Sequence, residues 1–265
     1  MRQKSILFIT TADTDILTAE RALSGMSQDS PRVTAVNPGS LPIDSVRGGD
    51  DLAREIMALA YESEVIVLRL LGGRRAMPDT FDDLARYCRI NGVPLIACPG
   101  HQEWDEALAA ACTVSAAEVK TVFAYLIQGG VQNFRSLFLC LSDTYFGTTH
   151  GYEAPTPLPW EGIYHPDFGE SIDVESFVSR HFRPGRPSVG ILFYRAHWMS
   201  GNLAPIDSLI RSLERMGANV LPMFAFSLRH RLDGDEEARR PLTQQLVGPE
   251  GLPRVHSIIN TKGIA

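Results

Sequence analysis

The stretch Ser188 to Phe226, SVGILFYRAHWMSGNLAPIDSLIRSLERMGANVLPMFAF, restricts the fold of this chain more than any other. Val189 to Tyr194 is a short, mostly apolar run, the pattern of a strand covered on both faces in a parallel sheet. From Arg195 to Asn202 the chain turns polar and aromatic, RAHWMSGN, and reads as a loop. Apolar residues then recur at Ile206, Leu209, Ile210 and Leu213, the spacing of one helix face. Asn202 is placed to cap that helix, and Pro205 fits its first turn, where a missing N–H costs nothing. Gly217 ends the helix, and Val220 to Phe226 forms the next strand. Open α/β sheets bind ligands at loops of this kind, because the unpaired N–H groups of the following helix face outward. Arg195, His197 and Trp198 therefore either meet a ligand or cover the sheet end, with Arg195 paired to a nearby acid.

A chain of 265 residues, 44% hydrophobic and 21% charged, is long enough for one large domain or two small ones. A formal charge of −6 argues against a nucleic-acid partner, since phosphate binding needs a basic face. No apolar run approaches the roughly 20 residues that span a bilayer. The start, MRQKSILFITTADTD, has too short an apolar core for a secretory signal, so the expected location is cytoplasmic, with no membrane partner. The seven histidines are too dispersed for a metal tract. Cys88, Cys98, Cys112 and Cys140 lie far apart without a CxxC pair, so buried thiols are expected.

The first half repeats the same device. Ser5 to Thr10 is a strand, and TTADTD after it reads as a strand-to-helix turn capped by Asp13 or Asp15. Arg32 to Val36 is a weaker strand, Gly49 to Tyr61 a helix, and Glu64 to Leu70 a strong third strand. At its end, RLLGGRRAMPDT carries a glycine pair where the backbone turns tightly or approaches a neighbour. Arg69, Arg74 and Arg75 put positive charge there, suited to the carboxylates or amidated arms of a ligand. Neither GxGxxG nor GxxxxGK[ST] occurs, so a nucleotide, if one is used, is expected on another chain.

Val93 to Cys98 is the fourth strand, and His101 beyond it is either a site histidine or a polar turn residue. Ser115 and Glu118 form an S-x-x-E capping box, and Val119, Val122, Phe123, Leu126 and Ile127 follow at helical spacing. Gly129-Gly130 then separates two helices or kinks one. From Ser142 to Pro187 prolines accumulate and periodicity fades until a short helix near Val174 to Phe182. The segment LPWEGIYHPDFGE within it carries Trp160, Tyr164 and His165 and reads as an irregular arm, or as a piece that docks along a cleft. SLRHRLDGDEEARRPLTQQL reads as a charged loop and surface helix, and VHSIIN as a last strand. The expected organisation is an N-terminal α/β domain over 1–141, a Pro-rich linker over 142–187 and the start of a second α/β domain over 188–265. The fold class is α/β, with two open parallel-sheet units of flavodoxin-like or Rossmann-like order, the second incomplete. Because a domain seldom finishes on the loop after a central strand, the 265 residues are expected to be the front of a longer protein.

Five segments, RLLGGRRAMPDTFDDL, YLIQGGVQNFRSLFLCL, WEGIYHPDFG, the organising stretch and HSIINTKGIA, together resemble the large subunit of ATP-dependent cobaltochelatase. That family includes the large, porphyrin-binding subunit of magnesium chelatase. The resemblance runs from about Glu64 to Ala265. It implies insertion of cobalt, as substrate, into hydrogenobyrinic acid a,c-diamide on the aerobic route to cobalamin. The implied partners are the tetrapyrrole, two AAA+ type ATPase subunits that use ATP and Mg, and the remainder of the large subunit. No cofactor or metal is expected on this segment, its catalytic residues are expected beyond Ala265, and alone it is expected to be inactive. On the matched motifs the implied substrate-binding residues are Arg195, His197, Trp198 and Asn202, with Arg69, Gly72, Gly73 and Arg74, and Tyr164 and His165. Two alternatives are a magnesium or nickel tetrapyrrole chelatase and a non-catalytic head that docks partners or holds tetrapyrrole.

Overall fold

A computed structural model describes residues 4–27, 29–41, 49–171, 173–226, 245–248 and 250–262. The chain divides into two compact units, Met1–Leu158 and Pro159–Ala265.

In the first unit, β1 (Ser5–Thr10), β2 (Arg32–Val36), β3 (Val65–Leu70) and β4 (Leu95–Pro99) form a parallel sheet in the order β2-β1-β3-β4. This is the beginning of a flavodoxin-like order. The helices are α1 (Asp13–Ser24), α2 (Gly49–Tyr61), α3 (Pro78–Asn91), α4 (Glu106–Ala111), α5 (Ala116–Gln128) and α6 (Val131–Phe146). The strands are apolar throughout because both faces are covered. Ile6, Phe8, Val65 and Val67 pack against α1, α5 and α6, where Phe8 meets Phe134 edge-on at 5.6 Å. Leu7, Ile9, Ile66 and Leu68 point the other way, onto Ile56 of α2 and Phe81 and Leu84 of α3.

The capping box forms: Ser115 Oγ accepts from the Glu118 N–H, and Glu118 Oε2 accepts from the Ser115 N–H at 2.9 Å. Gly129-Gly130 separates two helices. Asp13 and Asp15 do not cap α1, whose N-cap is Ala12. Asp13 accepts from Asn37 Nδ2, and Asp15 is drawn inward by a cation described below. Three of the four cysteines are buried and Cys112 is half-buried; burial pushes the Cys88 thiol up to about 12.

The Pro-rich stretch is shared between the units. Its first part lies on α5 and α6, where buried Asn133 donates to Thr156 O at 2.9 Å and accepts from Thr156 N–H at 2.8 Å. Its second part carries β5 (Glu161–His165), β6 (Gly169–Ser171) and α7 (Val174–His181) of the second unit. The segment read as an irregular arm is therefore a hairpin, with His165 paired to Gly169 across a tight turn.

The second unit continues with β7 (Ser188–Tyr194), α8 (Arg195–Ser200), α9 (Ala204–Arg215), β8 (Asn219–Ala225) and β9 (Ser257–Asn260). Its order is β6-β5-β8-β7-β9. Strands β8, β7 and β9 are parallel, but β5 runs antiparallel to β8, so this sheet is mixed where an all-parallel one was expected. A short turn suffices for β5–β6, whereas parallel neighbours need a crossover helix. Of the charged loop and surface helix expected after β8, residues 227–244 fall outside the described residues. Among the described residues no helix is long and apolar enough to cross a membrane.

Candidate functional site

The second sheet changes direction at β7. The chain leaves β7 through α8 and α9 to β8 on one side, while β9 lies on the other. Such a divergence opens a crevice at the carboxyl ends of the strands. RAHWMSGN, expected as a loop, forms α8 there and brings Arg195 to the strand end.

Arg195 is 1% exposed. Its Nε donates to Pro159 O at 2.6 Å, and its guanidinium carbon lies 4.2 Å from the centre of the Trp160 ring. Beside it, Tyr194 and Phe226 remain partly exposed, and Phe226 meets Trp160 edge-on at 5.5 Å. His197 is half-buried, burial lowers its pKa, and its buried Nδ1 has no hydrogen-bond partner. Trp198 stacks flat on Phe224 at 4.3 Å and donates Nε1 to Glu170 at 2.8 Å. Asn202 does not cap α9: Leu203 holds that position without a side-chain bond, and the Asn202 N–H donates to Ser200 Oγ.

Sequence reasoning missed Lys262. It follows β9, is 5% exposed, and donates Nζ to Ala225 O at 2.8 Å. Its ammonium sits 4.9 Å from the centre of the Tyr194 ring, and among the described residues no carboxylate pairs with it. Burial brings its pKa down to about 8. HSIINTKGIA contained this lysine, but no local pattern announced that it would be buried.

The remaining second-unit residues point elsewhere. Tyr164 donates to Asp207 in the first turn of α9 at 3.0 Å, and burial pushes its phenol up to about 12. His165, read as part of an irregular arm, is 1% exposed and joins Glu214 through Nε2 at 3.0 Å. It lies toward the amino ends of β7 and β8, away from Arg195.

In the first unit the analogous divergence lies between β1, which leads to β2, and β3. Arg69 pairs there with Asp15 at 2.7 Å, and Thr10 Oγ1 donates to the same carboxylate at 2.7 Å. Gly72 and Gly73 take positive φ, and a Cβ on Gly73 would stand 3.0 Å from Asp105 Oδ2. Arg74 pairs with Asp82 and lies over the Phe81 ring, at the rim of an open cavity of about 470 Å³. Arg69 and Arg74 are thus balanced by acids of the unit itself. Exposed His101 stands just beyond β4. Among the described residues no three His, Cys, Asp or Glu side chains converge as a metal-ligand set.

Two α/β sheet units place cationic side chains where their strands diverge, buried Arg195 and Lys262 in the second and half-buried Arg69 in the first, which is the position at which proteins of the open-sheet class bind ligands. The chain belongs to the CobN/magnesium chelatase family, whose model matches residues 123–265. It is 27% identical over 224 residues to the aerobic cobaltochelatase subunit CobN of Pseudomonas aeruginosa, covering 84% of this chain and 17% of that protein. The CobN protein of a Sinorhizobium species is 31% identical over 217 residues, 78% of this chain and 16% of its own length. Among solved structures, the catalytic subunit of cobaltochelatase from Mycobacterium tuberculosis aligns with a TM-score of 0.57 and 28% identity, covering 87% of this chain and 17% of that one. The chain thus spans about a sixth of the length of these relatives.

Proposed function

We propose that this chain supplies part of the tetrapyrrole pocket of a cytoplasmic, ATP-dependent cobaltochelatase large subunit acting on hydrogenobyrinic acid a,c-diamide. The observation that carries this reading is the carboxyl edge of the second sheet. Tyr194, whose ring faces the Lys262 ammonium, and Phe226, edge-on to the Trp160 ring that Arg195 covers, offer aromatic surface there. Aromatic faces suit a macrocycle, and a buried cation without a paired carboxylate leaves a positive potential for its acidic arms. Lys262 is such a cation. Cobalt is substrate on this reading. AAA+ partner subunits use ATP and Mg, which accords with a sequence that lacks both phosphate-loop patterns. Metal entry requires the pyrrole nitrogens to lose protons, and the remainder of the large subunit provides the groups that accept them.

The family description also includes magnesium chelatase, which supports a second reading with a porphyrin as ligand. Titration of the chain with hydrogenobyrinic acid a,c-diamide and with protoporphyrin, followed by absorbance and tryptophan fluorescence, separates the two. Saturable corrinoid binding, weakened by His197→Ala and Lys262→Met, is the expected result. Preferential protoporphyrin binding supports the second reading. Binding of neither by the folded chain overturns the assignment of a pocket to this edge and leaves a partner-docking head.

A further inference from the structure

At the amino edge of the second sheet, opposite the crevice described above, lies a cavity of about 180 Å³. Arg183, Pro184, Gly185 and Arg186 form a turn at its rim, closed by the Arg186 N–H to Arg183 O. Proline second and glycine third, with Gly185 at φ +76°, are the residues a type II turn requires. The turn is pinned to the start of β8, where Asn219 accepts from the Arg183 N–H at 2.8 Å and donates to Arg183 O at 3.0 Å. Both guanidiniums therefore emerge from one fixed turn, and among the described residues neither meets a carboxylate. The wall is a stack of three rings: His165 lies on Phe168 at 4.3 Å, and Phe168 on His181 at 3.7 Å. Glu214 also lines the cavity, but it is turned to His165 Nε2 at 3.0 Å.

We infer that this cavity binds a compact dianion of the phosphate class, free phosphate or the phosphate of a monoester, between Arg183, Arg186 and His181. Two guanidiniums match a double negative charge, and their forked N–H groups match phosphate oxygens. The imidazole of His181 supplies a further N–H. Its pKa is lowered first by burial and then by the positive field of the neighbouring His165 and Arg180. A bound dianion reverses that field and raises the His181 pKa.

The test is an NMR titration of the histidine ring protons in low salt, with inorganic phosphate and, separately, phenyl phosphate. Saturable binding is expected, with the His181 pKa raised. Arg183→Gln and Arg186→Gln should each weaken binding about tenfold, the loss of one charge-assisted contact. Both side chains are exposed, so these variants keep the fold, which circular dichroism checks. Tighter binding of phenyl phosphate assigns the site to a monoester; equal or weaker binding assigns it to the free ion. No saturable response of His181 to either anion overturns the inference, as does a response unchanged in the double variant.

Discussion

Lys262 donates Nζ to the carbonyl of Ala225 at 2.8 Å and so ties the end of β9 to the end of β8 across the Tyr194 ring. Ala225 ends β8 and Lys262 follows β9, strands that are not neighbours in the sheet, with β7 between them. A charged group closes the carboxyl edge at the point where the strands part.

That position makes stability depend on pH. Burial lowers the Lys262 pKa from 10.5 to about 8. Below pH 8 both folded and unfolded chains hold the proton, and the cost of the buried charge is present in full. Between about 8 and 10.5 the folded chain releases it first, the unfolded chain binds more protons, and stability rises with pH. The rise is at most ~3 kcal/mol. Urea unfolding of the protein and of Lys262→Met across this range should show their difference changing by that amount; a constant difference would refute the coupling.

The Asp15–Arg69 pair should behave as a buried ion pair, since both side chains are nearly covered. Arg69→Met leaves the carboxylate with Thr10 alone and is expected to cost about 2–4 kcal/mol. Adding Asp15→Asn should recover part of that loss, giving a coupling of roughly 1–3 kcal/mol in a double-mutant cycle. Additive losses would mean that the two side chains act independently.

Gly100 marks a close approach between strand ends. A Cβ there would stand 2.7 Å from the Leu71 backbone nitrogen, while the Gly100 N–H donates to Leu70 O at 2.8 Å. Backbone cannot yield as a side chain does, so Gly100→Ala should lower stability by about 1–3 kcal/mol. An unchanged unfolding midpoint would show that the β3 and β4 ends can separate freely.

The start of α5 should lose its cap in acid. Glu118 accepts from Ser115 and from the Tyr145 hydroxyl at 2.8 Å, bonds that hold its carboxyl below the usual range, the Ser115 side chain most of all. The stability it contributes is present above the unfolded value near ~4.3 and is lost as pH falls through the lower folded value. Glu118→Gln should therefore cost about 1 kcal/mol at pH 7 and progressively less toward pH 3, measured by thermal unfolding. A cost that is the same at both pH values would assign the effect to packing.

Local chemistry determined much of this fold in advance. Arg32–Val36 and Gly49–Tyr61 occur at the expected bounds, and the box at Ser115 and Glu118 forms, because periodicity and capping act within a few residues. The glycine pair at Gly129-Gly130 likewise separates two helices. Tertiary structure decided the rest. WEGIYHPDFG became a hairpin because β8 offered it an edge to pair with, and His165 was buried by ring stacking and Glu214. Asp15 left its capping role because Arg69 lay across the sheet, and Lys262 entered the site because β9 docked on β7. A residue's charge and polarity are written in the sequence, but whether that charge is neutralised, buried or left facing a ligand depends on which distant strand end stands beside it.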